Sequence, residues 1–481
     1  MWASVAHGGA FHSALTPSAR QKPGTSGLSD TLNPALVSYR VNQGPRRSGD
    51  RSSSLPAAAV LPALVALTLA IRIAAIFALH TYVMPPYEDY TGFGAEMGQI
   101  AASIAAGDGY SFPANTVYPP NVPLPLRDTP QPTAWMPPLY PALMAATFVL
   151  FGSYSQSSAL ILFFIQSFVA AGACILLFLL ARRAFDERTG LVAAALFSVY
   201  PPGIYMASRL IWATTITTAL VLLFCLLVLR CLDRGRVRDG VLLGAVGGLA
   251  ALSNPASMTV FPFVCLWLAL GRATRKRPVA VVAAVVFTAV IAPWVARNYA
   301  VFGRLVPIKS NFGNELAKGN NEYADGHWWT PEWRKTFTPE ELDFLASADE
   351  VSRNRFLLKK GTGYIRYHPL RFLRLTAARI WLFWTYTRVG DVGSPYSGKD
   401  LLMALGYFPM LLLAAAGLAM TRRREAEYRL SVLYLAVFPL PYYVAVAGLM
   451  RYRLPIEPLL MMFAAHAVMQ IATRISPVRA R

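Results

Sequence analysis

The sequence predicts an all-α, polytopic membrane protein, and three observations carry that prediction. The chain has 481 residues, of which 55% are hydrophobic and only 15% charged, whereas a soluble domain of average composition carries about 25% charged residues. Mean hydropathy is +0.41. Apolar runs of about 20 residues recur, each long enough to cross a hydrocarbon core about 30 Å thick. Clusters of arginine recur between alternate runs, the pattern that sets orientation in a membrane. The same clusters account for the formal net charge of +20. No nucleic-acid motif accompanies that charge, so a nucleic-acid partner is not indicated.

Residues 1–54 are rich in Gly, Ser, Pro and Arg and lack apolar periodicity. They read as a disordered cytoplasmic tail. The first apolar stretch lies far from Met1 and has full span length, so it reads as a span and not as a signal peptide. Apolar runs then fall near 56–80, 157–181, 189–207, 211–231, 239–253, 256–271, 279–298, 401–420, 430–449 and 454–473. These predict about ten spans within a membrane domain over 55–475, followed by a second cytoplasmic tail at 476–481. Asn254-Pro255, between two short runs, marks a tight outer turn.

Arginine clusters follow the second, fourth and sixth spans, the 401–420 run (Arg422–Arg424) and the last run. With ten spans they share one side, which the positive-inside rule makes cytoplasmic. The stretch 370–388, LRFLRLTAARIWLFWTYTR, is the exception to simple counting. As a full span it would move Arg422–Arg424 outside. Arg371, Arg374 and Arg379 share one helical arc, so an interfacial or re-entrant helix fits better. An eleventh span is the alternative. Two long polar segments, 81–155 and 299–369, then lie outside. The four cysteines, Cys174, Cys225, Cys231 and Cys265, sit in or beside apolar runs without metal-ligand spacing and read as small buried hydrophobes.

Candidate chemistry collects on the outer side. Glu88, Asp89 and Glu96 follow the first span, and Glu96 opens a helical pattern continued by Ile100 and Ile104. A carboxylate there could take a proton from a hydroxyl; the same residue also suits a helix N-terminus, where the dipole favours negative charge. DTPQPTAWMPPLYPALMAATFVLFG, from Asp128 to Gly152, suggests a rigid lip feeding an amphipathic helix on the membrane. Its Trp135 and Tyr140 also suit an interfacial belt. Arg297, Arg304 and Lys309 lie within thirteen positions on the side that should be poor in basic residues, with Glu315 and Asn320 beyond them. Arg451 and Arg453, in MRYRLPIEP, break the same bias. Such arginines either fork onto a phosphate or snorkel to lipid headgroups.

Four stretches together resemble the GT-C superfamily of membrane glycosyltransferases, which use polyprenyl-phosphate sugars as donors. They are the acidic first outer loop running into EMGQIAASIAAGDGYSFP, then PTAWMPPLYPALMAATFVLFG, PWVARNYAVFGRLVPIKSNFGNELAKGNN and RYRLPIEPLL. They are most similar to bacterial relatives of protein O-mannosyltransferase and of aminoarabinose transferase. The resemblance implies a GT-C-like bundle with outer-face loops and interfacial helices, located in the bacterial inner membrane with its site on the periplasmic face. It implies a catalytic carboxylate in the first outer loop, for which Asp89 and Glu96 are favoured over Glu88. The better-known members carry an adjacent acidic pair close to the helix, and here Glu88-Asp89 stands seven to eight residues before Glu96.

The expected reaction is inverting displacement of a lipid phosphate by an acceptor hydroxyl. Arg297, Lys309, Arg451 and Arg453 would hold the donor phosphate, and Arg304, Glu315 and Asn320 the rest of the substrate. Glu457 would pair with one arginine. No cofactor is expected. The scheme needs no metal, and no His/Asp cluster clearly supplies one, although divalent ions occur in some relatives. The expected partners are the donor, membrane lipids and an acceptor of undetermined identity. A transporter or flippase of a lipid-linked or anionic substrate is the rival expectation. It would place ionisable groups deep in the spans, where Arg72 and Arg209 are the main candidates.

Overall fold

The apolar runs become helices in a computed structural model that describes residues 57–83, 92–115, 128–271, 276–328, 330–389, 395–421 and 425–475. Both expected tails, the Glu88-Asp89 pair and Arg422–Arg424 lie outside the described residues. The spans begin with α1 (Ala57–Ala78) and α4 (Gln156–Ala184), between which α2 (Glu96–Ala106) and α3 (Leu139–Phe151) belong to the first outer segment. Next come α5 (Glu187–Val199), α6 (Pro201–Ser208), α7 (Thr214–Arg234), α8 (Val237–Ser253), α9 (Phe261–Leu270) and α10 (Lys276–Phe302). The second outer segment supplies α11 (Phe312–Gly319), α12 (Pro339–Ser347), α13 (Glu350–Tyr367) and α14 (Pro369–Thr385). The chain closes with α15 (Gly398–Met420), α16 (Ala426–Val437), α17 (Leu440–Val444), α18 (Met450–Arg453) and α19 (Glu457–Ile475).

The chain is a multi-pass membrane protein. Among the described residues six helical stretches are long and apolar enough to cross: α1, α4, α7, α10, α15 and Met450–Ile475. The pair α5–α6, bent by 53°, makes a seventh if it counts as one span. Pro201 explains the bend, because a proline opens a new helix and disfavours helical geometry in the residue before it. Each of the ten expected runs therefore falls on a helix or helix pair, but three are too short to qualify alone. One of the three is α8, a single helix of 17 residues; proline is the cause in the other two. Pro255 opens a 3-10 turn and Pro262 lies at the start of α9, and Pro439 and Pro441 divide 430–449 into α16 and α17.

Without water to drive apolar surfaces together, helices in lipid associate by close backbone approach. The spacing Gly240-x3-Gly244-x3-Gly248 gives α8 such a face against α10. A Cβ at Gly240 would stand 2.7 Å from the Val279 carbonyl oxygen, and one at Gly248 would stand 2.7 Å from Val290 Cβ.

Ion pairs mark one end of the bundle. Arg183 bonds Asp233 at 2.7 Å and Glu427 at 2.9 Å, and Arg230 meets Asp239 at 2.6 Å. These contacts gather the ends of α4, α7, α8 and α16. Consecutive spans reverse direction, so 208–214, 253–256, 302–318 and 440–453 come together at the other end. Helix α14 stays there. Arg371, near its start, donates to the Ala324 carbonyl, and the Phe383 and Tyr386 carbonyls at its far end accept from Arg453. Both ends touch elements of one face, which agrees with the interfacial reading and not with an eleventh span. Helix α3 departs from the expected amphipathic pattern: it packs on Tyr140, Met144 and Phe148 yet leaves Val149 66% and Leu150 73% exposed. All four cysteines are free, and three are buried among the helices.

Candidate functional site

The end opposite the ion pairs holds an open cavity of about 400 Å³ lined by several elements. Its acidic wall is Glu96, the first residue of α2. Phe93-Gly94-Ala95 turns sharply to deliver it. Gly94 has φ +68°, and a Cβ there would stand 2.6 Å from the Ile211 carbonyl oxygen. Ala95 has φ 41°, a conformation that costs an L side chain about 1–3 kcal/mol and tends to mark functional sites. The Glu96 side chain is 7% exposed.

The basic wall comes from two segments far apart in sequence. Lys309, between α10 and α11, and Lys318, near the end of α11, face the same space as Arg451 of α18. Lys318 bonds Glu315 at 2.9 Å, one turn earlier, and lies over the Trp328 ring. The Arg451 guanidinium carbon sits 4.0 Å above the centre of the Trp212 ring. Burial pulls the Lys309 ammonium below the ordinary lysine range, with Glu315 and Glu96 drawing it back and Arg451 and Lys318 pushing it further down. Lys309 thus feels the other four charges of the same space. Asn254, Asn314 and Tyr442 add neutral polar groups to the wall, and Asn254 Nδ2 donates to the Tyr442 hydroxyl at 3.2 Å.

Of the residues expected from sequence, the structure brings together Glu96, Lys309, Glu315 and Arg451. Four others are placed elsewhere. Arg453 is 1% exposed and locked to Glu457 (0% exposed) by a 2.6 Å ion pair. It also donates to the Phe383 carbonyl at 2.6 Å and lies over the Tyr407 ring. Tyr200 completes this unit by donating to Glu457 at 2.7 Å. A guanidinium so engaged fixes α18 and α19 to α14; it does not line the cavity. Arg297 donates to the Thr133 and Tyr110 carbonyls at 2.7 and 2.6 Å, which ties α10 to the first outer segment. Asn320 spans the Leu316 and Val444 carbonyls and accepts from buried Arg379. Arg304 bonds Ser352 at 2.7 Å on the exposed side of α13. Glu88 and Asp89 lie outside the described residues, so Glu96 is the acidic candidate with a described position.

Sequence reasoning missed Lys318, Trp212 and Glu350. Lys318 follows Glu315 at i+3, a pairing signal that was legible. Trp212 stands at the start of a span, where tryptophan reads as an interfacial anchor. Glu350 accepts from Thr133, from the Ala134 amide at 2.8 Å and from Ser310, so it clamps both outer segments behind the cavity. Burial pushes its carboxyl upward, and those three donors with Arg353 pull it back.

The chain is similar in part to known proteins. Residues 136–296 match the sequence family described as dolichyl-phosphate-mannose-protein mannosyltransferase. No curated protein sequence matches. The apo oligosaccharyltransferase of Archaeoglobus fulgidus superposes with a TM-score of 0.54 at 16% identity, over 89% of this chain and 52% of that one. The archaeal oligosaccharyltransferase AglB from the same organism, in complex with an inhibitory peptide and a dolichol-phosphate, gives 0.53 at 15% identity, over 88% and 51%. ArnT from Cupriavidus metallidurans gives 0.38 at 13% identity, over 88% and 80%. The chain thus spans about half the length of the archaeal oligosaccharyltransferases it matches. At these identities the likeness establishes architecture, and the fold is that of a GT-C-like helical membrane protein.

Proposed function

We propose that the protein is a membrane glycosyltransferase that moves a sugar from a polyprenyl-phosphate donor to an acceptor hydroxyl. One observation carries the reading: a single open cavity, at the ends of apolar spans, sets Glu96 among Lys309, Lys318 and Arg451. Three cations in a chamber bordered by membrane helices suit a phosphate whose tail stays in lipid. The family description of the profile matched by residues 136–296, and the dolichol-phosphate bound to AglB, support a lipid-phosphate donor.

In the reaction the acceptor oxygen attacks the anomeric carbon as Glu96 takes its proton, and the carbon–oxygen bond to the phosphate breaks with inversion. Lys309 and Arg451 meet the charge that develops on the departing phosphate, where preorganised donors are most effective. Glu315 holds Lys318 in place. The neutral groups Asn254, Asn314 and Tyr442 suit sugar hydroxyls. The positive-inside pattern supports an outer-face cavity, and the bacterial inner membrane is the location that fits the sequence resemblance.

The transport reading has one observation on its side. Arg72 is fully buried within α1 and bonds the Thr68 and Ser198 carbonyls. Those bonds fix it to the helices and give it a structural task. The two readings separate in one assay: purified protein in liposomes, given a radiolabelled polyprenyl-phosphate sugar and a membrane extract as acceptor. Glycosyl transfer releases the lipid phosphate, and Glu96→Gln stops that release. Movement of the intact donor between leaflets with no release would establish transport instead.

A further inference from the structure

We infer that Trp212 is a positioning residue that couples the phosphate-binding guanidinium to the turn carrying Glu96, an inference that rests on the proposed function. Trp212 lies against one charged arm of the cavity wall and beside the turn that carries the other. Its ring face covers Arg451, with the guanidinium carbon 4.0 Å from the ring centre. Its ring edge lies beside the turn: a Cβ added at Gly94 would stand 3.7 Å from Trp212 Cε3, and 2.6 Å from the neighbouring Ile211 carbonyl oxygen.

The backbone beneath the ring is fixed. Buried Gln166 accepts from the Trp212 amide at 3.2 Å and from Tyr140 at 3.0 Å, while its own amide donates to the Leu210 carbonyl at 3.0 Å. The backbone at Trp212 is therefore tied to α4 and, through Tyr140, to α3.

Stacking suits this task chemically. A guanidinium presents its N–H groups in its own plane, so an aromatic ring over its face restrains the plane without competing for the edge that forks onto phosphate. The same ring lies beside the strained Gly94-Ala95 turn. Loss of the ring would release the orientation of Arg451 and open space beside the turn that carries Glu96.

The test measures binding of farnesyl phosphate to the purified full chain in detergent, with the thermal midpoint reporting folding. Arg451→Gln should weaken binding about tenfold, the scale of one charge-assisted bond. Trp212→Leu should weaken it about threefold to thirtyfold, and Trp212→Phe should restore most of the loss. The Trp212→Leu, Arg451→Gln double variant should bind like Arg451→Gln alone. Fluorinated tryptophans incorporated at 212 keep the shape and weaken the ring's attraction for a cation, so they keep the test decisive if Trp212→Leu does not fold; binding should fall stepwise with fluorine number. Wild-type affinity in Trp212→Leu or across the fluorinated series, or losses that multiply in the double variant, would overturn the inference while leaving the proposed function standing. Unchanged binding in Arg451→Gln would overturn both.

Discussion

Arg453 tests whether a basic residue in the outer turn serves the donor or the fold. Its side chain is 1% exposed and its partner Glu457 is 0% exposed, joined at 2.6 Å. Removing one member of such a pair leaves an uncompensated buried charge, a cost of about 3–5 kcal/mol. Arg453→Met would strand the Glu457 carboxylate, and the Phe383 and Tyr386 carbonyls would lose their donor. Glu457→Leu would strand the guanidinium and deprive Tyr200 of its acceptor. Replacing both with apolar residues removes the charges together, so the double variant should be more stable than either single one. Thermal unfolding in detergent should show each single variant losing at least about 5 °C, and the double variant recovering a good part of that. Farnesyl phosphate binding, measured on the folded fraction at low temperature, should change less than about threefold. An unaltered midpoint for Arg453→Met, together with lost phosphate binding, would refute the framework role and restore Arg453 as a donor ligand.

Other outcomes follow from the same geometry. Glu96→Gln should lower turnover by about 10²–10⁴-fold while donor binding persists; equal turnover would move the base to Glu88 or Asp89. Lys309 titrates below the ordinary lysine range, so its share of phosphate affinity should fall as pH rises through that lowered value. Lys309→Arg should carry the falling limb to higher pH, and an unshifted limb would remove Lys309 from the phosphate site. Cysteines introduced by Asp325→Cys and Asp233→Cys should be labelled by impermeant reagents from opposite faces, and labelling of both from one face would break the two-end arrangement.

The spans were legible because about twenty apolar residues in a row leave a chain few alternatives in lipid, where each backbone polar group must be satisfied internally. Their interruptions were harder to read. Pro201, Pro262 and Pro439 stand inside apolar runs, and hydropathy alone weighs them little. In 370–388 the shared arc did not foretell different fates: Arg379 is buried against the Tyr443 and Val444 carbonyls, while Arg371 and Arg374 are exposed. The site was only half legible. Charge against the insertion bias led to segments that border the cavity, since Lys309 and Arg451 line it. It could not divide Arg451 from Arg453, because two residues along a helix is about half a turn and sends one side chain outward and the other into the core. Nor could it show that Arg297 is consumed by the Thr133 and Tyr110 carbonyls, contacts 164 and 187 residues away in sequence. Trp212 was invisible as a site residue because its role exists only in the company of Gly94 and Arg451.

The most direct test of the central claim is a cryo-EM structure of the protein with a bound polyprenyl phosphate. The account predicts the phosphate in the cavity, within hydrogen-bond reach of Arg451 and Lys309, with the lipid tail leaving between apolar spans and Glu96 across the space that the sugar would fill. A phosphate bound away from that cavity, at Arg453, at Arg297 or on the end marked by Arg183 and Asp233, would contradict it.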